Sequence, residues 1–283
     1  MRGTHVARLL ALAALWSMQY IFLRVAVPAL GVELVAEMRA LAGALVLVPA
    51  ALALGQRIAP LSRWRDYLGV SLVNNVIPFA CFAFGAAVLP AGYLAIINGT
   101  VPLWTALFAA WLLGERLGAR RSAGFALGIA GVALIVNLGP VALDARTALA
   151  AVVSLLGAAS WGWGGVMIKQ YTGRVPAIAL AAGTMSFAAV LMSPFWAGAP
   201  AAAWTLPATA SAVALGALCS GVAYLAFFTL VRDIGPSRTL SVTFLIPVLG
   251  ILWGWLLLDE AVTFPMLAGA ALVFAALGLV LRR

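Results

Sequence analysis

Few residues in this 283-residue chain can carry chemistry, and their types decide what that chemistry is. The only histidine is His5, near the N-terminus. The acids are Glu33, Glu37, Asp66, Glu115, Asp144, Asp233, Asp259 and Glu260, and only Glu37 falls clearly inside an apolar run. Acid–base or nucleophilic catalysis needs such groups to converge. Cys81 and Cys219 both sit in apolar runs, which argues against a disulfide or a metal site. A Walker A phosphate loop is absent, so ATP is not the direct energy source. Enzymatic activity is not expected, nor is any cofactor. The apolar runs do hold neutral polar and aromatic residues. The candidate solute contacts are Trp16, Tyr20, Asn74, Asn98, Trp161, Trp163, Tyr224 and Thr243. Their chemistry is noncovalent: ring faces accept apolar groups and attract an ammonium, while amides and hydroxyls hold a carboxylate or amine without burying a fixed charge. For any single Ser or Thr, bridging neighbouring helices is the favoured role.

The elements that position these residues follow from composition. Hydrophobic residues make up 65% of the chain, charged ones 9%, and the mean hydropathy is +1.12. Soluble domains run near a quarter charged. A soluble enzyme, a disordered chain and a disulfide-rich secreted module are therefore excluded. The apolar runs are long and continuous, which selects membrane-spanning helices over a β-barrel. Ten helices are predicted, over 6–27, 34–54, 67–89, 91–113, 121–138, 147–169, 176–197, 208–231, 237–258 and 264–281. The first run lacks a small-residue cleavage site and is expected to be a true span. The fold class expected is an all-α polytopic membrane protein, in contact with lipid and with no sign that demands an oligomer.

The net charge of +9 comes from cations scattered in ones to threes, without a basic stripe interleaved with aromatics. Nucleic acid is not an expected partner. The cations instead report topology. Fourteen of the 17 Lys and Arg fall at the termini and in alternate loops; the other loops hold Arg146, and Arg24 and Arg39 lie within spans. The positive-inside rule then puts both termini in the cytoplasm.

Shifting the chain by 145 residues aligns it with itself without a gap. Trp16 falls on Trp161, Arg24 on Lys169, Pro102 on Pro247, Glu115 on Glu260 and Gly124 on Gly269. Two repeats are expected, 1–145 and 146–283, each of five spans. Five is odd, so the second must enter the membrane inverted. Inverted repeats are a transporter signature, because equivalent halves can exchange roles around a midplane site.

The segments Pro102 through Gly124 and Pro247 through Gly269, with Trp16-Ser17 and Met38-Arg39, resemble the ten-helix EamA family of the drug/metabolite transporter superfamily. The YddG-like bacterial exporters of aromatic amino acids are similar in length and architecture. The resemblance implies a secondary exporter of small metabolites, amino acids foremost, working by alternating access around an uncharged, aromatic-lined cavity. Drugs and other metabolites are further substrates the resemblance admits. An ion channel is the alternative from another class, but no segment reads as a selectivity filter. The first helix lacks a Glu, so proton antiport has no obvious carrier and a facilitator or exchanger is the more economical expectation.

Pro102 and Pro247 each remove a helical hydrogen bond and are expected to kink the fourth and ninth helices as hinges. Arg24 and Glu37 share a shallow depth on neighbouring helices and are expected to pair. Arg39 lies deeper and on another face; it could attract a solute carboxylate or hold a helix end, and Thr184 takes its place in the second half. Glu115 and Glu260 are expected to cap or anchor helix ends. The small-xxx-small pairs Gly124/Gly128 and Gly250/Gly254 allow close helix approach without requiring a dimer.

Overall fold

The computed structural model describes residues 3–58, 64–113, 118–138, 144–171, 174–196 and 204–281. Among these, all regular structure is helical. Nine helices are long and apolar enough to cross a membrane: α1 (Gly3–Leu30), α2 (Val32–Ala53), α3 (Trp64–Ala86), α4 (Ala91–Leu112), α5 (Ala119–Leu138), α6 (Ala145–Gln170), α7 (Ala177–Trp196), α8 (Leu206–Ile234) and α9 (Ser241–Leu258). A shorter apolar helix, α10 (Phe264–Val280), completes the set. Observed and predicted ends agree to within three residues except at α9, where a separate turn, Pro236–Thr239, precedes the span.

Local chemistry sets several of these ends. The α1–α2 connection is the single residue Gly31, whose φ of 83° suits only glycine comfortably. Asp144 caps α6, its carboxylate accepting from the Thr147 amide at 2.7 Å. Hydrogen bonding to the charged form holds the Asp144 pKa below its ordinary value.

Three of the helix pairs related by the 145-residue shift, α2 with α7, α4 with α9 and α5 with α10, lie side by side and run antiparallel. In α5 and α10, Gly124 faces Val280 while Gly131 faces Gly269. In α4 and α9, Gly99 faces Pro247 while Gly250 faces Ala95. The start of α7 meets the end of α2, where the Ala179 amide donates to Gln56 Oε1 at 3.2 Å. Small residues make these approaches possible. A Cβ at Gly131 would lie 2.8 Å from the Gly269 carbonyl oxygen, and one at Gly124 2.9 Å from the Ala276 oxygen. Gly124/Gly128 and Gly250/Gly254 therefore serve contacts within the chain.

Both halves depart from α-helix at matching places. A π-helix occupies Leu72–Val76 in α3 and another Leu215–Val222 in α8. The shift maps the first onto 217–221, inside the second. In α4 the helix breaks at a turn over Gly99 and Thr100, and α9 begins as a 3-10 turn, Leu240–Phe244. The α4 turn directly follows Asn98, four positions ahead of Pro102, and the α9 3-10 turn includes Thr243, four ahead of Pro247. These prolines have no N–H to donate to the carbonyls of Asn98 and Thr243, so the α-helical ladder is interrupted there.

Candidate functional site

The interrupted helices meet at a chamber of about 250 Å³. Its lining draws on α1, α2, α3, α4, α6, α8 and α9: Trp16, Arg39, Asn74, Asn98, Trp161, Tyr224 and Thr243 face it, with Pro102 at its edge. A second cavity of about 480 Å³ adjoins it and also touches Asn74 and Tyr224. This vestibule extends to Tyr171, Arg174 and Pro176 at the α6–α7 connection. The α6–α7 connection lies on the side of the fold where α1 begins. Sharing Asn74 and Tyr224, the two mostly apolar cavities together span from the α6–α7 face of the bundle to its middle.

The α3 π-helix shapes the wall. A π turn widens the backbone and takes carbonyls out of the regular i to i−4 ladder. Side chains of α6 satisfy two of them: Ser160 Oγ donates to the Val73 carbonyl at 2.6 Å, and Trp161 Nε1 donates to the Asn74 carbonyl at 2.9 Å. Gly164 allows this closeness, since a Cβ there would lie 2.7 Å from Asn74 Oδ1. Asn74 and Tyr224 each line both the chamber and the vestibule. Trp161 also stacks on Phe82, with centroids 4.9 Å apart. Its counterpart Trp16 is held differently, by ring contacts with Phe227 at 5.3 Å and Tyr224 at 6.5 Å. Among the described residues the Trp16 indole N–H has no acceptor.

The expected uncharged lining carries one cation, a correction to the sequence-based picture. Arg39 reaches the chamber because Gly216 of α8 sits on its backbone: a Cβ at Gly216 would lie 2.5 Å from the Arg39 carbonyl oxygen. The guanidinium donates from Nε to Ser220 Oγ at 3.0 Å and from Nη2 to Gln19 Oε1 at 2.9 Å. It lies over the Phe79 ring, 3.9 Å from the centroid.

Not every candidate faces the cavity. Tyr20 is fully buried in the core against Phe82, at 6.1 Å. Trp163 is 38% exposed and packs on Phe108 at 5.6 Å, away from the chamber. Pro247 is buried beneath Gly99. Cys219, Phe227 and Ile246 line the chamber without having been singled out as contacts. Phe227 sits three residues after Tyr224, so helical spacing alone could have found it.

The expected Arg24–Glu37 pair does not form. Arg24 instead lies 3.5 Å from Glu260 and donates to the Ala86 carbonyl at 2.9 Å. Glu260 accepts from the Ala91 and Gly92 amides at 2.9 and 3.4 Å, so it caps α4 as well as pairing with Arg24. Glu37 is 2% exposed, and its Oε2 has no hydrogen-bond partner among the described residues. Equal depth does not make two helical residues neighbours when they leave their axes in different directions. Glu115 lies outside the described residues.

A bundle of membrane-crossing helices with a solute-sized central cavity and no clustered His, Cys or acids among the described residues defines a membrane transporter. A family model matches twice, over residues 6–137 and 148–282, and the chain belongs to the EamA-like transporter family. The uncharacterized transporter YvbV of Bacillus subtilis is 32% identical over 98% of this chain and 92% of its own length. A probable amino-acid metabolite efflux pump of Escherichia coli is 25% identical over 95% of this chain and 91% of its own. A probable terminal-alkyne amino-acid exporter of Streptantibioticus cattleyicolor is 31% identical over 71% of this chain and 67% of its own. A solved crystal structure shares the fold across 99% of this chain and 97% of its own, with a TM-score of 0.67 at 22% identity.

Proposed function

We propose that this protein is a secondary exporter of small amphipathic metabolites, amino acids foremost, in a bacterial inner membrane with both termini cytoplasmic. The two halves, 1–145 and 146–283, act as inverted repeats that rock about the chamber between them. The observation that carries this is the chamber itself, whose walls pair equivalent residues from each half: Trp16 with Trp161, and Asn98 with Thr243. Path geometry supports an inward-open state. The vestibule leads toward the α6–α7 connection, while the opposite end carries the Arg24–Glu260 pair and the capped start of α4. The names of two relatives, a probable amino-acid metabolite efflux pump and a probable terminal-alkyne amino-acid exporter, agree with amino acids as the substrate class.

Purified protein in liposomes, given labelled neutral and aromatic amino acids, is expected to show saturable flux without an imposed proton gradient. Flux that requires the gradient would overturn the facilitator mechanism. Absence of flux for every amino acid in the panel, with drugs or other metabolites transported instead, would overturn the substrate class.

A further inference from the structure

We infer that Arg39 is an anion subsite of the chamber, taking the carboxylate of a solute whose remaining body is apolar or aromatic. This deepens the transport function proposed above and rests on the chamber being the solute's path. Arg39 is 4% exposed yet lines the chamber. Its two bonded nitrogens meet only neutral acceptors, Ser220 and Gln19, and Nη1 has no hydrogen-bond partner among the described residues. Among those residues no Asp or Glu pairs with it.

A buried charge without a counterion is costly to keep, and a chain that needed only packing there would do better with an apolar side chain. A ligand carboxylate supplies the missing charge and matches the planar guanidinium. The neighbouring rings then suit the rest of the solute. Trp161 lies 5.8 Å from the guanidinium carbon, and Trp16 and Tyr224 face the same space. Thr184 replaces Arg39 in the second half, so the chamber offers one such anchor, for one carboxylate.

The test titrates the full-length protein in nanodiscs, by calorimetry, with 3-phenylpropionate and with phenethylamine, which lacks the carboxylate. A charge-assisted hydrogen bond predicts that the acid binds saturably and at least about tenfold more tightly than the amine. Arg39→Gln should weaken acid binding by about tenfold or more, while Arg39→Lys keeps part of it. Gln19→Glu guards against a folding defect. It gives Arg39 an internal carboxylate, so it should abolish acid binding without lowering the thermal midpoint. Trp111→Ala, on the outer surface at 72% exposure, should leave binding unchanged.

Equal binding of acid and amine, no saturable acid binding by the wild type, or binding indifferent to both Arg39→Gln and Gln19→Glu overturns the proposal. So does chloride competing stoichiometrically with the acid, which assigns the subsite to an inorganic anion. Liposome flux separates the two levels. Arg39-dependent acid binding without flux of any labelled amino acid keeps the subsite and sinks amino-acid transport. Flux without Arg39-dependent binding does the reverse.

Discussion

Arg24 and Glu260 lie 3.5 Å apart although 236 residues separate them, and the same carboxylate accepts from the α4 amides of Ala91 and Gly92. One side chain thus ties α1 and the α9–α10 connection to the start of α4, on the side of the chamber opposite the vestibule. Replacing Glu260 with Gln keeps a hydrogen-bond acceptor but removes the charge. Glu260→Ala removes both and should cost roughly 1–2 kcal/mol, the usual worth of a lost helix cap. Thermal unfolding in detergent checks the order: Glu260→Ala below Glu260→Gln below wild type. The same series should raise reaction of Cys219 with membrane-impermeant thiol reagents added from the Glu260 side.

The two symmetry-related tryptophans should behave unlike each other. Trp161 donates to the Asn74 carbonyl, so Trp161→Phe leaves that carbonyl unsatisfied and should cost about 1–3 kcal/mol of stability. Trp16 has only ring contacts, so Trp16→Phe should leave the thermal midpoint near wild type while still lowering solute flux. Equal stability losses in both would refute the distinction.

Packing of α5 against α10 relies on absent side chains. Gly131→Val would push a side chain toward the Gly269 carbonyl, 2.8 Å from the built Cβ. Overpacking of this kind costs typically about 1–3 kcal/mol. The loss should appear in thermal unfolding with no change in oligomeric state by size-exclusion light scattering, because the contact is internal to one chain.

Asp144 gives a pH signature. Its folded-state pKa is depressed, chiefly by the hydrogen bond from the Thr147 amide, so its stabilisation is present above the ordinary carboxylate range and fades as pH falls through the folded value. Asp144→Ala should therefore be less stable than wild type at pH 7, and the gap should narrow progressively below about pH 4. A gap that is constant with pH would show that the carboxylate charge plays no part.

The spans, their number and the repeat were legible because hydropathy and a gapless self-alignment depend on residue type alone. Pairing of α4 with α9 and of α5 with α10 follows the same shift, and Glu260 does cap a helix as its position suggested. What could not be read was azimuth. A soluble helix betrays its inner face by contrast with a polar outer one, but a membrane helix is apolar all round. Trp163 shares the segment of Trp161, yet two positions turn a helix by about 200°, and it packs outward on Phe108. Shared depth on adjacent helices points to an Arg24–Glu37 pair but says nothing of the direction in which each side chain leaves its axis. The π-helix of α8 has no residue signature, whereas that of α3 lies just ahead of Pro78, which has no N–H to donate to the Asn74 carbonyl and so leaves it for Trp161.

The lone arginine breaks the parity of an otherwise duplicated scaffold. Two mirror-like poses of identical halves would greet a solute with the same affinity from inside and outside. With guanidinium on one half and threonine on the other, the anionic end meets unlike surroundings in each pose. A passive carrier cannot turn that into a gradient: the ratio of maximal velocity to half-saturation must match in both directions. It can only trade tight, slow capture on one side for loose, fast capture on the other, so the asymmetry should surface as unequal half-saturation constants for influx and efflux.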